Sequence, residues 1–342
     1  MPTPAAPPHG PVKRPARIIG LRVLTAVAVT AAAGTLAGCG SSKASTSGGS
    51  SSAVEKPDLT VAVVPAPGAA GLYIAQQNGY FTAAGLHVKI VPVASGGDVL
   101  ASLVNGSIDV DEGQWTSDID AQVAGIKLHA LAAGNAGGPG VQEVTVPPGS
   151  GIRTVRQLAG KTIAVNALAG LTVLLIDTVL AANGMSPSQV HFVVVPFPAM
   201  AAALAARRVD AGFMIEPYLT QAETSSGDVP LFDIDQGATQ NLPLTGYVVT
   251  QAWMARYPRT AAAFTRALHK GQEIAATSRP AVEKALIKNT TVSKRTAAIM
   301  ATGTFPLSVT PVALGRVADL MQQEHALKPS VNVIQLAQEM TR

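Results

Sequence analysis

Among the 342 residues, Glu216 is the side chain whose position most suggests chemistry. It follows the apolar run 211–215, which reads as a strand end, and Pro217 restricts the turn behind it. A carboxylate there can receive an amine, amidine or amino-pyrimidine group through a charge-assisted hydrogen bond. A hinge-region salt bridge or an exposed loop charge is an equally open reading. If Glu216 binds ligand, Glu216→Ala should weaken binding at least about tenfold and leave the melting of the unliganded protein nearly unchanged. Trp115, next to Gln114 in the stretch 111–115, offers a flat apolar wall or packs at a domain edge. Ser95-Gly96-Gly97 and the stretch 166–172, with Asn166, Gly170 and Thr172, read as helix openings. Their free backbone N–H groups can hold an anionic oxygen without Lys or Arg, or simply accept ordinary caps. Gly68 and Gly71 in the loop 65–71, and Asn135 in 135–140, complete the set of loop candidates. Tyr218 and Tyr247 are weaker candidates, for which core packing competes.

Other chemistries find no support in the spacing. The histidines at 9, 87, 129, 191, 269 and 325 never recur at metal-ligand intervals. No phosphate-binding glycine loop, Gly-x-Ser-x-Gly elbow or dinucleotide fingerprint is present. Asp111 and Glu112 mimic an acid–base pair, yet neighbours on a strand point to opposite faces. The single cysteine excludes an internal disulfide framework and a thiolate zinc cluster. The expectation is therefore a binding protein, with no catalytic residue, metal or cofactor.

The elements that must position these residues repeat along the chain. Thr60-Val61-Ala62-Val63 and Thr162-Ile163-Ala164-Val165 open the two copies. Second strands are expected at 88–93 and 192–197, and third strands after Ile108-Asp109 and Val209-Asp210. The offsets between copies are 102, 104 and 101 residues. Each copy reads strand–helix–strand–helix–strand, a βαβαβ unit with a parallel sheet. The run 246–250 is β-prone and is expected to return the chain to the first unit, ahead of helices over 259–276, 280–288 and 311–324. The crossings are expected near 146–151 and 243–246. In such sheets ligands sit beyond the carboxyl ends of the strands, where the candidate loops lie.

Charge and composition narrow the reading. With 47% hydrophobic and 13% charged residues, the chain builds a core. The formal net charge of +4 belongs to Lys13, Arg14, Arg17 and Arg22, which precede the apolar run 23–33 and Leu36-Ala37-Gly38-Cys39. This pattern resembles the lipobox of bacterial lipoproteins, which implies an export signal over 1–38 and lipidation of Cys39. The Ser/Gly-rich stretch 39–56 reads as a tether with a reach of roughly 20–25 Å. Residues 57–245 hold 7 basic against 15 acidic groups, and 246–342 hold 12 against 5. That acidic excess argues against polyanions, and no nucleic-acid partner is expected.

Several motifs together resemble a known family. They are Asn78-Gly79-Tyr80-Phe81 with Gly85-Leu86, the run 103–109, the run 158–165, and 209–216 followed by Pro217-Tyr218. The chain resembles substrate-binding proteins of bacterial ABC importers, in the branch of nitrate, alkanesulfonate, taurine and thiamine-pyrimidine-precursor binders. The resemblance implies an α/β, type II periplasmic-binding-protein fold: two lobes joined by a two-strand hinge, closing on a small solute that passes to a membrane permease and its ATPase. Lobe 1 would span 57–147, lobe 2 148–245, and 246–342 would return to lobe 1, as a monomer. A same-fold pathway enzyme and an extracytoplasmic ligand sensor are the alternatives.

Overall fold

The computed structural model describes residues 53–93, 99–168 and 170–342; Cys39 and Ser95-Gly96-Gly97 lie outside them. The first run contains β1 (Asp58–Val63), β2 (His87–Pro92), β3 (Val110–Gln114) and β4 (Leu128–Ala133), with α1 (Ala70–Gln77), α2 (Tyr80–Ala83), α3 (Leu100–Asn105) and α4 (Trp115–Val123). The second contains β5 (Gln142–Val146), β6 (Thr162–Val165), β7 (His191–Val194), β8 (Ala211–Ile215) and β9 (Val229–Asp233), with α5 (Leu171–Ala182), α6 (Phe197–Ala205) and α7 (Tyr218–Ser226). After β10 (Thr245–Thr250) come α8 (Gln251–Arg256), α9 (Pro258–Thr277), α10 (Arg279–Asn289), α11 (Lys294–Ile299), α12 (Pro311–Gln323) and α13 (Val333–Thr341). No helix of the described residues is long and apolar enough to cross a membrane.

Two five-stranded sheets result, ordered β2-β1-β3-β10-β4 and β7-β6-β8-β5-β9. In each, four strands run parallel and one, β10 in the first sheet and β5 in the second, runs against them. Even the irregularities match: the register shifts between Tyr247 and Val248 in one sheet and between Val144 and Thr145 in the other. The repeat landmarks also do the same job twice. Asp109 accepts the Thr60 N–H and Asp210 the Thr162 N–H, both at 2.9 Å, and each pairs with a lysine, Lys56 and Lys161.

The first crossing lies earlier than the sequence suggests. The sequence reading ends the first lobe at residue 147, yet β5 pairs with β8 and β9 in the second sheet. A short β-prone run has no local preference between two sheets, so long-range pairing decides. β5 fills in the second sheet the slot that β10 fills in the first, and β10 does return to the first sheet, between β3 and β4. The two crossing segments meet at an antiparallel bridge between Ala136 and Pro243. The expected strand over 192–197 stops at Val194, and Phe197 opens α6, whose first turn contains a proline suited to that position.

Packing explains two glycines. A Cβ on Gly271 of α9 would stand 2.1 Å from the Gly71 carbonyl oxygen of α1, and one on Gly71 would stand 1.8 Å from Gln272 Oε1. The two helices therefore touch backbone to backbone. Beside them Phe81 stacks on Phe264 at 5.2 Å, and Tyr247 meets the Phe264 edge at 6.2 Å.

Candidate functional site

The carboxyl ends of β1, β3, β6 and β8 and the amino ends of β5 and β10 converge on one cavity of about 70 Å³. That is roughly five times the space one water needs on the same measure. The position follows from the topology, because loops leave parallel strands on this side. Both sheets contribute to its walls. Gly68, Glu112, Gln114, Asn135 and Thr245 come from the first, and Gln142, Asn166, Thr172 and Glu216 from the second. Phe197, Phe213, Leu171 and Leu244 supply apolar surface.

The polar groups are held by one another. Thr245 donates its hydroxyl to Asn135 Oδ1 at 2.8 Å and accepts the Asn135 N–H at 3.2 Å. Thr172 donates to Asn166 Oδ1 at 2.6 Å. Glu112 is buried, and its Oε1 has no hydrogen-bond partner among the described residues. Burial pushes its carboxyl up to about 8, with the nearby Thr245 hydroxyl and Val64 backbone working the other way and the Asp111 charge raising it further. Asp111 is raised to about 7 by burial, and Asp118 well above the usual range by burial and by Asp111 and Glu112.

Glu216 lines the cavity, but its oxygens are already engaged. Oε1 accepts the Thr220 hydroxyl at 2.7 Å and the Ala301 N–H at 3.1 Å, while Oε2 accepts the Thr220 N–H at 3.2 Å. The residue thus caps the start of α7 and ties it to the segment after α11. That segment is anchored in the first-sheet core through Met300 and Phe305. Burial raises the Glu216 carboxyl, and these hydrogen bonds work the other way. The hinge-region reading is realised by hydrogen bonds and not by a salt bridge. The expectation of an unchanged melting temperature on its removal does not survive this geometry.

Gly68, Gln114, Asn135, Asn166, Thr172 and Glu216 meet at the cavity; Gly71, Trp115, Gly170, Tyr218 and Tyr247 are not among its lining residues. Gly71 serves the α1–α9 contact. Trp115 is 1% exposed and lies against Gly246, where a Cβ would come within 1.8 Å of the indole. Its ring is core because it opens α4 beneath the first sheet. Gly170 precedes α5 with a φ of 86°. Tyr218 stacks behind Phe197 at 5.9 Å, and Tyr247 is fully buried against Phe264. The aromatic wall expected of Trp115 is supplied by Phe197 and Phe213 instead. By sequence Glu112 reads only as half of an apparent acid–base pair with Asp111. Its place within the third strand, where the second copy has the cavity-lining Phe213, is the signal that marks it.

Comparison with known proteins agrees with this architecture. No curated protein matches the chain in sequence. Among solved structures, it is similar to a protein from Bordetella bronchiseptica RB50 at 25% identity, with 84% of this chain and 95% of that one covered and a TM-score of 0.67. The alkanesulfonate-binding protein SsuA from Xanthomonas axonopodis pv. citri, bound to MOPS, aligns at 21% identity over 83% of this chain and 99% of its own, with a TM-score of 0.69. The periplasmic nitrate-binding protein NrtA from Synechocystis PCC 6803 aligns at 17% identity over 85% and 87%, with a TM-score of 0.72. These last two likenesses are of fold, the two-sheet architecture of periplasmic binding proteins. The NMT1/THI5 like family model matches residues 66–281, which contain every cavity-lining residue named above, and the chain belongs to that family.

Proposed function

We propose that this chain is an extracytoplasmic solute-binding protein that captures a small organic solute between its two sheets and delivers it to an ABC importer. The observation that supports this best is the cavity. It is walled from both sheets and ringed by amide, hydroxyl and carboxyl groups, and the two segments that cross between the sheets meet at one bridge. Such a layout favours closure on a solute that touches both walls, by its differential affinity for the closed state. The named relatives of known role, SsuA and NrtA, are binding proteins and not enzymes. A lipid on Cys39 with the tether 39–56 would hold the domain beside a membrane permease. The lobes are taken as 57–147 with 246–342, and 148–245, adjusted for β5.

A thermal-shift screen of the full chain tests this reading, because a ligand that binds only the folded state raises the transition. The panel contains taurine, alkanesulfonates, nitrate, aminopyrimidines, riboflavin and amino acids. A shift by a sulfonate-like or aminopyrimidine-like solute is expected, with a smaller radius of gyration at saturation. A flat panel argues against solute capture. Mass analysis of the membrane-extracted chain, with Cys39→Ser as reference, tests the anchor.

A further inference from the structure

We infer that the captured solute carries an ammonium or amidinium group and that Glu112 is the residue that reads it, an inference resting on the solute-capture reading above. Glu112 is 3% exposed, lines the cavity, and leaves Oε1 without a partner among the described residues. A methyl on Gly68 would stand 3.2 Å from that oxygen and 2.9 Å from Asn135 Oδ1. The unpartnered oxygen therefore faces space that Gly68 leaves open at the cavity. A buried carboxyl oxygen in that condition is costly, and a ligand N–H removes the cost.

The sign of the ligand charge follows from what surrounds it. Glu112 and Glu216 face the cavity from opposite sheets, and none of its described lining residues is Lys, Arg or His. Residues 94–98 and 169, outside the described set, contain none either. An entering sulfonate or nitrate meets two carboxyls and no side-chain cation. An ammonium or amidinium draws Glu112 into its ionised form and gains a charge-assisted hydrogen bond. Glu216 is committed to Thr220 and Ala301, so discrimination falls to Glu112. The wall of Phe197 and Phe213 receives the ring or alkyl part of the solute. The opposing possibility is an anion at the start of α5, whose Leu171 and Thr172 line the same cavity.

Calorimetric titration of the full chain with benzamidine, benzenesulfonate and nitrate decides between them, the first two being one ring with opposite head charges. Benzamidine is expected to bind at least tenfold more tightly than benzenesulfonate, about 1.4 kcal/mol. Glu112→Gln, nearly isosteric, should weaken benzamidine at least tenfold while the circular-dichroism melt shows a folded protein. Gly68→Ala should do the same by filling the space in front of Oε1, and it carries the test if Glu112→Gln does not fold. Tighter binding of benzenesulfonate or nitrate, or benzamidine binding indifferent to both substitutions, overturns the inference while solute capture stands. If no solute of either charge binds, both readings fall.

Discussion

Replacing Glu216 by alanine separates a structural carboxylate from a free ligand contact. The side chain is 3% exposed and accepts three hydrogen bonds, two from Thr220 and one from the Ala301 backbone. At about 1 kcal/mol for each neutral bond, the loss is about 3 kcal/mol. Ionisation of the carboxyl would strengthen each bond, but burial disfavours the anion, and its removal recovers part of that cost. A net loss of about 2–4 kcal/mol is therefore expected. Glu216→Gln keeps one acceptor for the Thr220 hydroxyl and the Ala301 N–H but turns an amide toward the Thr220 N–H, and should lose about 1 kcal/mol. Urea denaturation of the unliganded protein gives both values from the shift in midpoint at constant slope. A Glu216→Ala protein within about 0.5 kcal/mol of the parent would show an exposed loop charge and refute the capping role.

Burial raises Glu112 to about 8 and Asp111 and Glu143 to about 7, so between about pH 4.5 and 8 the folded state holds more protons than the unfolded one. Stability contributed by these groups is complete below their unfolded values near 4 and is lost as the pH rises through 7–8; the lowered His129 opposes this only below its ordinary 6.5. The melting temperature of the unliganded protein should fall from pH 6.5 to 8.5, less so in Glu112→Gln, and a rising profile contradicts the assignment. Gly271→Ala gains about 1 kcal/mol of helix propensity, yet its methyl meets the Gly71 oxygen at 2.1 Å, so a net loss of about 2 kcal/mol is expected by urea denaturation. A more stable variant would disprove the backbone contact of α1 with α9. Asp109→Ala strands the Thr60 N–H, the Trp253 indole N–H and Lys56 in a buried site and should cost about 2–3 kcal/mol. Asp210→Ala, at a half-exposed site, should cost under about 1 kcal/mol, and equal losses would contradict this asymmetry.

Much of the frame was legible because it is local or repeated. The strands at 60–63 and 162–165 announce themselves by β-branched runs, and Asp109 and Asp210 recur at matched places because each must accept the same strand N–H. The loops after those strands pointed to Gly68, Gln114, Asn135, Asn166, Thr172 and Glu216, since strand ends and cavity coincide in this topology. Residue type misled where packing decides. Trp115 and Tyr247 have the chemistry of a ligand wall, but only the approach of Gly246 and Phe264 shows them to be core.

From the amino-acid order alone came the duplicated βαβαβ pattern, the charge division and the candidate loops, because periodicity and turn chemistry act over short stretches of chain. Tertiary structure decided which sheet takes β5, a choice made by pairing across some seventy residues with β8. It also exchanged the roles of the two carboxylates. Glu216 found donors in Thr220 and in Ala301, 85 residues away, whereas Glu112 was buried with one oxygen left unpaired. The hydrogen bonds open to a side chain depend on which distant backbone arrives beside it, and no local run of sequence specifies that.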